Sequence, residues 1–149
     1  MKGKPILPPT YLLLAIAIML AFRFLFPMAI VLKIPWTIAG VLPLAVGLGL
    51  NLVADRDFKK HQTTVKPFEE SSTLITTGVY RRSRNPMYLG FVLILIGVAV
   101  FLGSLTPFAV VVIFPVLMEV VFIRPEETML EQQFGEIWVG YKKQVRRWI

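Results

Sequence analysis

Four long apolar blocks, separated by polar or turn residues, most constrain what this chain can fold into. They occupy residues 8–32, 34–54, 86–102 and 105–123, and each is close to the roughly 20 residues that a helix needs to cross a bilayer. Hydrophobic residues make up 56% of the 149 residues, more than an ordinary soluble domain contains. The sequence therefore predicts an all-α integral membrane protein, with a single domain over 1–149 built on a bundle of about four transmembrane helices.

The first apolar block follows Lys2 and Lys4, as the apolar region of a signal peptide would. Its apolar run is long, however, and lacks a clear small-x-small cleavage site. We therefore interpret this block as a first span that the protein retains.

Lysine and arginine are distributed unevenly between the blocks. Two lie in the N-terminus, seven in the connector 55–85 and five in the tail 124–149, whereas the two opposite turns contain only Lys33. Four spans put the N-terminus, the connector and the tail on one side, which the positive-inside rule identifies as cytoplasmic. The uneven positive charge thus predicts a membrane protein with both termini in the cytoplasm, and we expect no nucleic-acid partner.

Cysteine and histidine limit the chemistry open to this chain. The sequence has no cysteine and one histidine, His61. Disulfides, thiolate catalysis and cysteine-ligated metals are therefore excluded, and a lone histidine cannot build a metal site. We expect no metal.

The tail, residues 124–149, is polar but carries apolar residues near helical spacing: Met129, Leu130, Phe134, Ile137 and Trp138. It opens with Pro125, Glu126 and Glu127, which is typical of a first helical turn. We predict a cytoplasmic amphipathic helix that lies along the membrane surface or folds back over the connector.

Two ionisable residues, Arg23 and Glu119, lie inside apolar blocks. Charges there are costly and usually face a cavity or a partner. A structural ion pair, or a side chain that reaches the interface near the end of its span, explains them equally well.

The stretch VGLGLN, residues 46–51, places Gly47 and Gly49 in the second block. It is not the dinucleotide fingerprint, because the third glycine and the strand are missing. These glycines either let two helices approach closely or let a flat ligand lie against the helix.

Arginines precede the third block in the stretch YRRSRNPMYLG, residues 80–90. An anchor at the lipid headgroups explains their charge but not their density beside Asn85, Pro86 and Tyr88. Guanidinium groups are suited to binding a carboxylate or phosphate. Arg124, Glu126 and Glu127 emerge on the same face, so that an acidic and a basic set can meet there and hold an amino group as well.

Together these motifs resemble the membrane methyltransferase superfamily that includes isoprenylcysteine carboxyl methyltransferases and phosphatidylethanolamine N-methyltransferases. The resemblance covers roughly the last hundred residues: GLG at 47–49, TTVKPF at 63–68, TTGVYRRSRNPMYLG at 76–90 and RPEETMLEQQFGEIWVGYKKQVRRW at 124–148. It implies S-adenosylmethionine (SAM) as cofactor, bound without a Rossmann domain between the last helices and the C-terminal segment. It also implies methyl transfer to a lipophilic acceptor that enters from the bilayer at the cytoplasmic face of a prokaryotic inner membrane.

The resemblance also implies a set of site residues. The cofactor-binding set is Gly47, Gly49, Arg81, Arg84, Asn85, Pro86, Tyr88, Gly90, Glu126 and Glu127, with the arginines on the cofactor carboxylate and the glutamates on its amine. An amine acceptor would need a base, for which Glu127 and Tyr88 are the candidates. A carboxylate acceptor would need none and would favour Arg124 as its clamp.

The acceptor stays open. Asn85 stands where the carboxyl methyltransferases usually have histidine, so NPMYLG is closer to the phospholipid enzymes. The arginine-rich stretch before it is closer to the isoprenylcysteine type. An isoprenylcysteine-type carboxylate and a phospholipid amine both remain candidates, and the sequence does not indicate the oligomeric state.

Two other functions compete with methyl transfer. A membrane reductase of the sterol reductase type would use NADPH, although the chain is short for it. A non-enzymatic lipid-binding protein would use the arginines for anionic headgroups. NADPH-dependent reduction, or anionic-lipid binding without affinity for SAM, would identify them.

Overall fold

A computed structural model describes residues 7–26, 28–61 and 73–149 of the chain, so the motif TTVKPF at 63–68 lies outside the described residues. These residues form an all-helical fold, which confirms the predicted class. The α-helices in these ranges are α1 (Pro8–Leu25), α2 (Val41–Lys60), α3 (Pro86–Leu102), α4 (Thr106–Met118), α5 (Arg124–Phe134) and α6 (Glu136–Gln144). Short 3₁₀ turns, Trp36–Gly40 and Gly78–Arg81, precede α2 and α3.

Three helical stretches in the described ranges are long and apolar enough to cross a membrane. They are Pro8–Leu25, Trp36–Lys60 and Thr106–Phe134, whereas α3 is apolar but shorter, at 17 residues. Large apolar side chains are exposed on their outer faces, as with Leu42, which is 71% exposed. Extended apolar surface of this kind is suited to contact with lipid.

The first helix, α1, ends at Leu25, earlier than the predicted block 8–32. Pro27 follows in the sequence, and the residue before a proline is disfavoured in the helical conformation. Phe26 has φ −133° and ψ 62°, outside the helical region. Proline thus shortens the helix even though the apolar composition continues.

The chain after α1 is fixed against the turn between α3 and α4. The N–H groups of Val31 and Leu32 donate to the Gly103 carbonyl at 2.8 and 3.1 Å, and Leu105 N–H donates to the Ala29 carbonyl at 3.1 Å. Gly103 has φ +63°, and a Cβ there would collide with the Leu32 carbonyl, so the position favours glycine. These bonds close one end of the bundle.

The second helix, α2, continues to Lys60, beyond the predicted block 34–54. Lys59 pairs with Asp55 one turn earlier at 2.5 Å, and Lys59 and Lys60 place positive charge at the negative end of the helix dipole. The predicted connector 55–85 therefore begins as helix, which carries polar residues of α2 alongside the start of α3.

Residues Thr106–Phe134 are continuously helical. α4 passes into α5 through a π-helical turn, Glu119–Ile123. Proline has no N–H to donate to the preceding turn, and a local change of hydrogen-bond register before Pro125 accommodates it. Pro125, Glu126 and Glu127 lie in the first turn of α5, as the sequence expected, although α5 continues from α4 without a break. The helix ends at Gly135, which has φ +52°, before α6 begins. An amphipathic helix on the membrane surface stays a prediction.

Glycine pairs bring α2 and α3 into direct backbone contact. A Cβ on Gly40 would lie 2.5 Å from the Gly97 carbonyl oxygen, and one on Gly47 would lie 2.5 Å from the Gly90 carbonyl oxygen. Small residues are what allow such close approach between apolar helices. Gly49 is different, because a Cβ there would meet no atom within 4 Å.

The other side of α3 packs against α1 and α4 around a buried core. Leu95, Met19 and Met118 are fully buried, and Phe122 extends this core toward the π-helical turn. Arg23 lies in the last turn of α1, at the end of its helix, in keeping with a side chain that reaches the interface.

Candidate active site

The arginine-rich segment before α3 folds against α6. Gly78–Arg81 forms a 3₁₀ turn that buries Tyr80, and the Tyr141 hydroxyl donates to the Tyr80 carbonyl at 2.6 Å. Burial raises the pKa of Tyr141 to about 12, so this donor keeps its proton at neutral pH. The tail is thereby held over the connector, one of the two positions that we predicted for it.

Of the three arginines in this segment, Arg84 is the one that enters the protein. Its side chain is only 8% exposed, whereas Arg81 and Arg82 are exposed. The guanidinium lies 5.5 Å from the centre of the Trp138 ring, and Nη2 lies 3.2 Å from Oε1 of Glu127. Nε and Nη1 are buried and have no partner among the described residues. Arg84 thus keeps two hydrogen-bond donors for an anionic group.

The C-terminal segment runs along the residues that lead into α3. The Arg146 carbonyl accepts from Arg84 N–H at 3.0 Å, and the Arg147 carbonyl accepts from Asn85 Nδ2 at 3.1 Å and Ser83 Oγ at 3.4 Å. Pro86 is the first residue of α3, as expected, because its missing N–H costs nothing there. Asn85 therefore orients the tail through its amide.

Tyr88 and Glu126 form the contact between α3 and α5. The Tyr88 hydroxyl donates to Oε1 of Glu126 at 2.9 Å, and the Tyr88 ring stacks on Phe122 with centres 6.2 Å apart. Tyr88 is buried and Glu126 half-buried. Tyr88 and Glu126 are 38 residues apart in the sequence and are in contact in the fold. The sequence predicted this contact, because it placed both motifs on the same face of the membrane.

Glu127 is held by two guanidinium groups. Arg147 binds it with both arms, Nε to Oε1 at 3.1 Å and Nη2 to Oε2 at 2.6 Å, and Arg84 contacts the same Oε1. Hydrogen bonding to Glu127 raises the pKa of Arg147 above its usual value, so Arg147 stays charged. Two hydrogen bonds and a further ion pair thus occupy most of the acceptor capacity of this carboxylate.

Glu119 continues this network toward the apolar part of the helix. Its Oε1 accepts from Arg147 Nη1 at 2.8 Å and from Nε and Nη2 of Arg124 at 3.2 and 3.0 Å. Glu119 is therefore paired, as the structural interpretation of the sequence expected. The Arg124 side chain is 64% exposed, on the outer side of the network.

The structure brings together part of the predicted site and separates the rest. Arg84, Asn85, Tyr88, Glu126 and Glu127 converge at the start of α3. The others lie elsewhere: Gly47 and Gly90 in the α2–α3 contact, Gly49 away from that contact, Arg81 exposed and Arg124 beside Glu119.

Sequence reasoning missed Arg147 and Trp138 as site residues. Arg147 was counted only as one of the positive charges in the tail, and Trp138 only as an apolar helix position. Glu119 lies in an apolar block and Glu127 just after it, so both carboxylates call for a positive partner, but the sequence does not indicate which arginine supplies it.

Comparison with known proteins supports the family resemblance that these motifs indicate. A family model described as phospholipid methyltransferase matches residues 35–137, which include α2, α3, α4 and α5. The chain is also 40% identical over 63 residues to an uncharacterized protein of Haemophilus influenzae, an alignment that covers 42% of this chain and 100% of that protein. No solved structure matches the chain significantly. Because the family match extends over well more than half of its length, this chain belongs to the phospholipid methyltransferase family.

Proposed function

We propose that this protein is an integral membrane methyltransferase that uses SAM to methylate a lipophilic acceptor at the cytoplasmic face. The observation that carries the proposal is the buried Arg84, whose Nε and Nη1 lack partners beside the contact between Tyr88 and Glu126. A buried guanidinium with unused donors is costly unless an anionic ligand completes it. Membership of the phospholipid methyltransferase family supports the same activity.

The unpartnered atoms fit the amino-acid end of SAM. Its carboxylate would accept from Arg84 Nε and Nη1, and the N–H of Trp138, also buried and without a described partner, offers a further donor nearby. Its ammonium group needs a carboxylate. The residues present therefore match both charges of this part of the cofactor.

Glu126 is better suited than Glu127 to bind the ammonium group. Glu127 already accepts from Arg84 and Arg147, whereas the hydrogen bond that engages Glu126 comes from the neutral Tyr88 hydroxyl. A carboxylate with unused lone pairs gains more from a new cationic partner than one held by two guanidiniums. We therefore assign Glu127 to positioning Arg84.

The chemistry asked of the protein is alignment and exclusion of water. When bound, SAM supplies a methyl group that its sulfonium already activates. Holding the acceptor in line can contribute about 7–11 kcal/mol, and a buried site strengthens the electrostatic contacts. For an amine acceptor, Glu127 and Tyr88 remain the candidate bases. For a carboxylate acceptor, the exposed Arg124 remains the candidate clamp.

The proposed topology has four spans, with α3 as the fourth. Its 17 apolar residues lie at the lower end of the spanning range, about 17–25 residues. The start of α3, where Arg84 and Tyr88 lie, would then face the cytoplasm. SAM would reach this end from water, while the acceptor enters from the bilayer.

Calorimetric binding of S-adenosylhomocysteine to the detergent-purified protein tests this proposal. We expect wild-type binding and its loss in Glu126→Ala, because the ammonium group loses its carboxylate. Glu136→Ala, an exposed glutamate at the start of α6, is the matched control and should bind normally. A folded wild-type protein that does not bind the ligand would refute the proposal and favour a lipid-binding or reductase function.

A further inference from the structure

Two polar residues of α2, Asn51 and Asp57, have no part in the site described so far. Each carries a buried oxygen, Asn51 Oδ1 and Asp57 Oδ2, with no hydrogen-bond donor among the described residues. Buried polar atoms in folded proteins are nearly always paired, so each such atom calls for a partner. These two are acceptors, whereas the unpartnered atoms of Arg84 and Trp138 are donors.

Asn51 lies against the helix that carries Tyr88. Its Nδ2 donates to the Gly47 carbonyl at 2.9 Å. Because a carbonyl can only accept, this bond identifies Nδ2 as the nitrogen and leaves Oδ1 as the amide atom without a partner. A Cβ on Gly90 would collide with the Asn51 amide, so glycine at this motif position makes room for the side chain. The unused oxygen therefore lies at the α2–α3 contact, about one helical turn from the start of α3.

Asp57 lies six residues, about one and two-thirds turns, further along α2 and contacts a different segment. Its Oδ2 lies 2.5 Å from where a Cβ of Gly78 would be, and Gly78 has φ +61°. Tyr80 lies in the 3₁₀ turn that Gly78 begins, and its ring packs on Phe58 of α2 with ring centres 5.7 Å apart. The Tyr80 carbonyl accepts from Tyr141 of α6, the helix that carries Trp138. Asp57 therefore lies where α2 meets the turn that leads to Arg84 and contacts α6.

The unpartnered atoms divide into two sets with opposite needs. Donors on Arg84 and Trp138 need an acceptor such as a carboxylate, and acceptors on Asn51 and Asp57 need donors. SAM has a carboxylate at one end and an adenosine at the other, where two ribose hydroxyls and an exocyclic amine can donate. A carboxylate that accepts from ribose hydroxyls is a common solution in nucleotide sites.

We propose that Asn51 and Asp57 form the subsite for the adenosine part of the cofactor. Asp57 accepts from the ribose hydroxyls, and Asn51 Oδ1 accepts from the amine of the base. This inference rests on the proposed function, because it needs the cofactor's amino-acid end at Arg84 and Glu126. It assigns to two motif glycines, Gly78 and Gly90, the role of making room for these side chains.

The test compares two ligands that share the adenosine. S-adenosylhomocysteine has the amino-acid part, and 5′-methylthioadenosine lacks it. In calorimetry, Asp57→Asn should weaken both ligands by the same factor, about tenfold or more, because a hydrogen bond to a charged acceptor is lost. Glu126→Ala should weaken S-adenosylhomocysteine alone. Asp55→Asn is the matched control on the same helix, since Asp55 pairs with Lys59, and it should change neither.

A second measurement needs no variant and so does not depend on folding. The 2′-deoxy form of 5′-methylthioadenosine should bind the wild-type protein about tenfold more weakly than the parent nucleoside, because Asp57 loses a donor. Asn51→Ala should also weaken both ligands equally, as a third check.

The outcomes separate this inference from the proposed function. A wild-type protein that binds neither ligand refutes the proposed function itself. Wild-type binding that is unchanged in Asp57→Asn overturns the adenosine subsite and leaves the function standing. Weakening of S-adenosylhomocysteine alone in Asp57→Asn overturns it too, because Asp57 would then act at the amino-acid end.

Discussion

At the scale of single residues, Arg147 connects the parts of the site. Its guanidinium joins Glu127 to Glu119, and its carbonyl holds Asn85, so side chain and backbone tie the tail to α3, the π-helical turn and α5. The sequence predicted that an acidic and a basic set meet on one face. It did not predict Arg147, because no spacing rule indicates where a C-terminal segment folds back.

Arg147→Ala should lower the free energy of unfolding by about 1–3 kcal/mol, since Glu127 and Glu119 lose hydrogen bonds in a partly buried setting. Thermal unfolding in detergent measures the effect. Arg146→Ala is the control, because the Arg146 side chain is exposed and its contribution to the fold is a backbone carbonyl. Equal melting temperatures for the two variants would mean that the ion pairs do not stabilise the tail.

At the scale of elements, proline lies in the first turn of two helices that carry residues of the site, α3 and α5. α3 begins at Pro86, where the sequence predicted it, because proline at the first position is a strong local signal. Pro125 likewise lies in the first turn of α5, but the helix does not start there, because α4 runs into α5 without a break. Proline is tolerated there through the π-helical turn, a tertiary accommodation that sequence pattern does not report.

Two glycines of α2 provide a matched test of the backbone contact between α2 and α3. Gly47→Ala should destabilise the protein by about 1–3 kcal/mol, because its Cβ would meet the Gly90 carbonyl and the helices must separate. Gly49→Ala should stabilise it by about 0.5–1 kcal/mol, since the space is open and alanine favours helix. Thermal unfolding of both variants checks the prediction. Destabilisation by both, or by neither, would contradict the assigned contact.

At the scale of the whole molecule, the uneven distribution of lysine and arginine predicts the orientation of the bundle. The chain has no cysteine, so single cysteines introduced at Lys33, Leu105 and Lys143 report the side on which each lies. A membrane-impermeant maleimide should label Lys33→Cys and Leu105→Cys from outside the membrane, and Lys143→Cys only after permeabilisation. Leu105→Cys labelled only from inside would show that α3 does not cross the membrane.

Methyl transfer itself tests the central claim most directly. Purified protein in detergent is incubated with methyl-labelled SAM and a membrane lipid extract, and label in the organic phase is counted. We expect label in a lipophilic product with the wild-type protein and with Glu136→Ala, and its loss with Glu126→Ala. Absence of labelled product from a folded protein that binds S-adenosylhomocysteine would contradict transfer to a lipid acceptor in that extract.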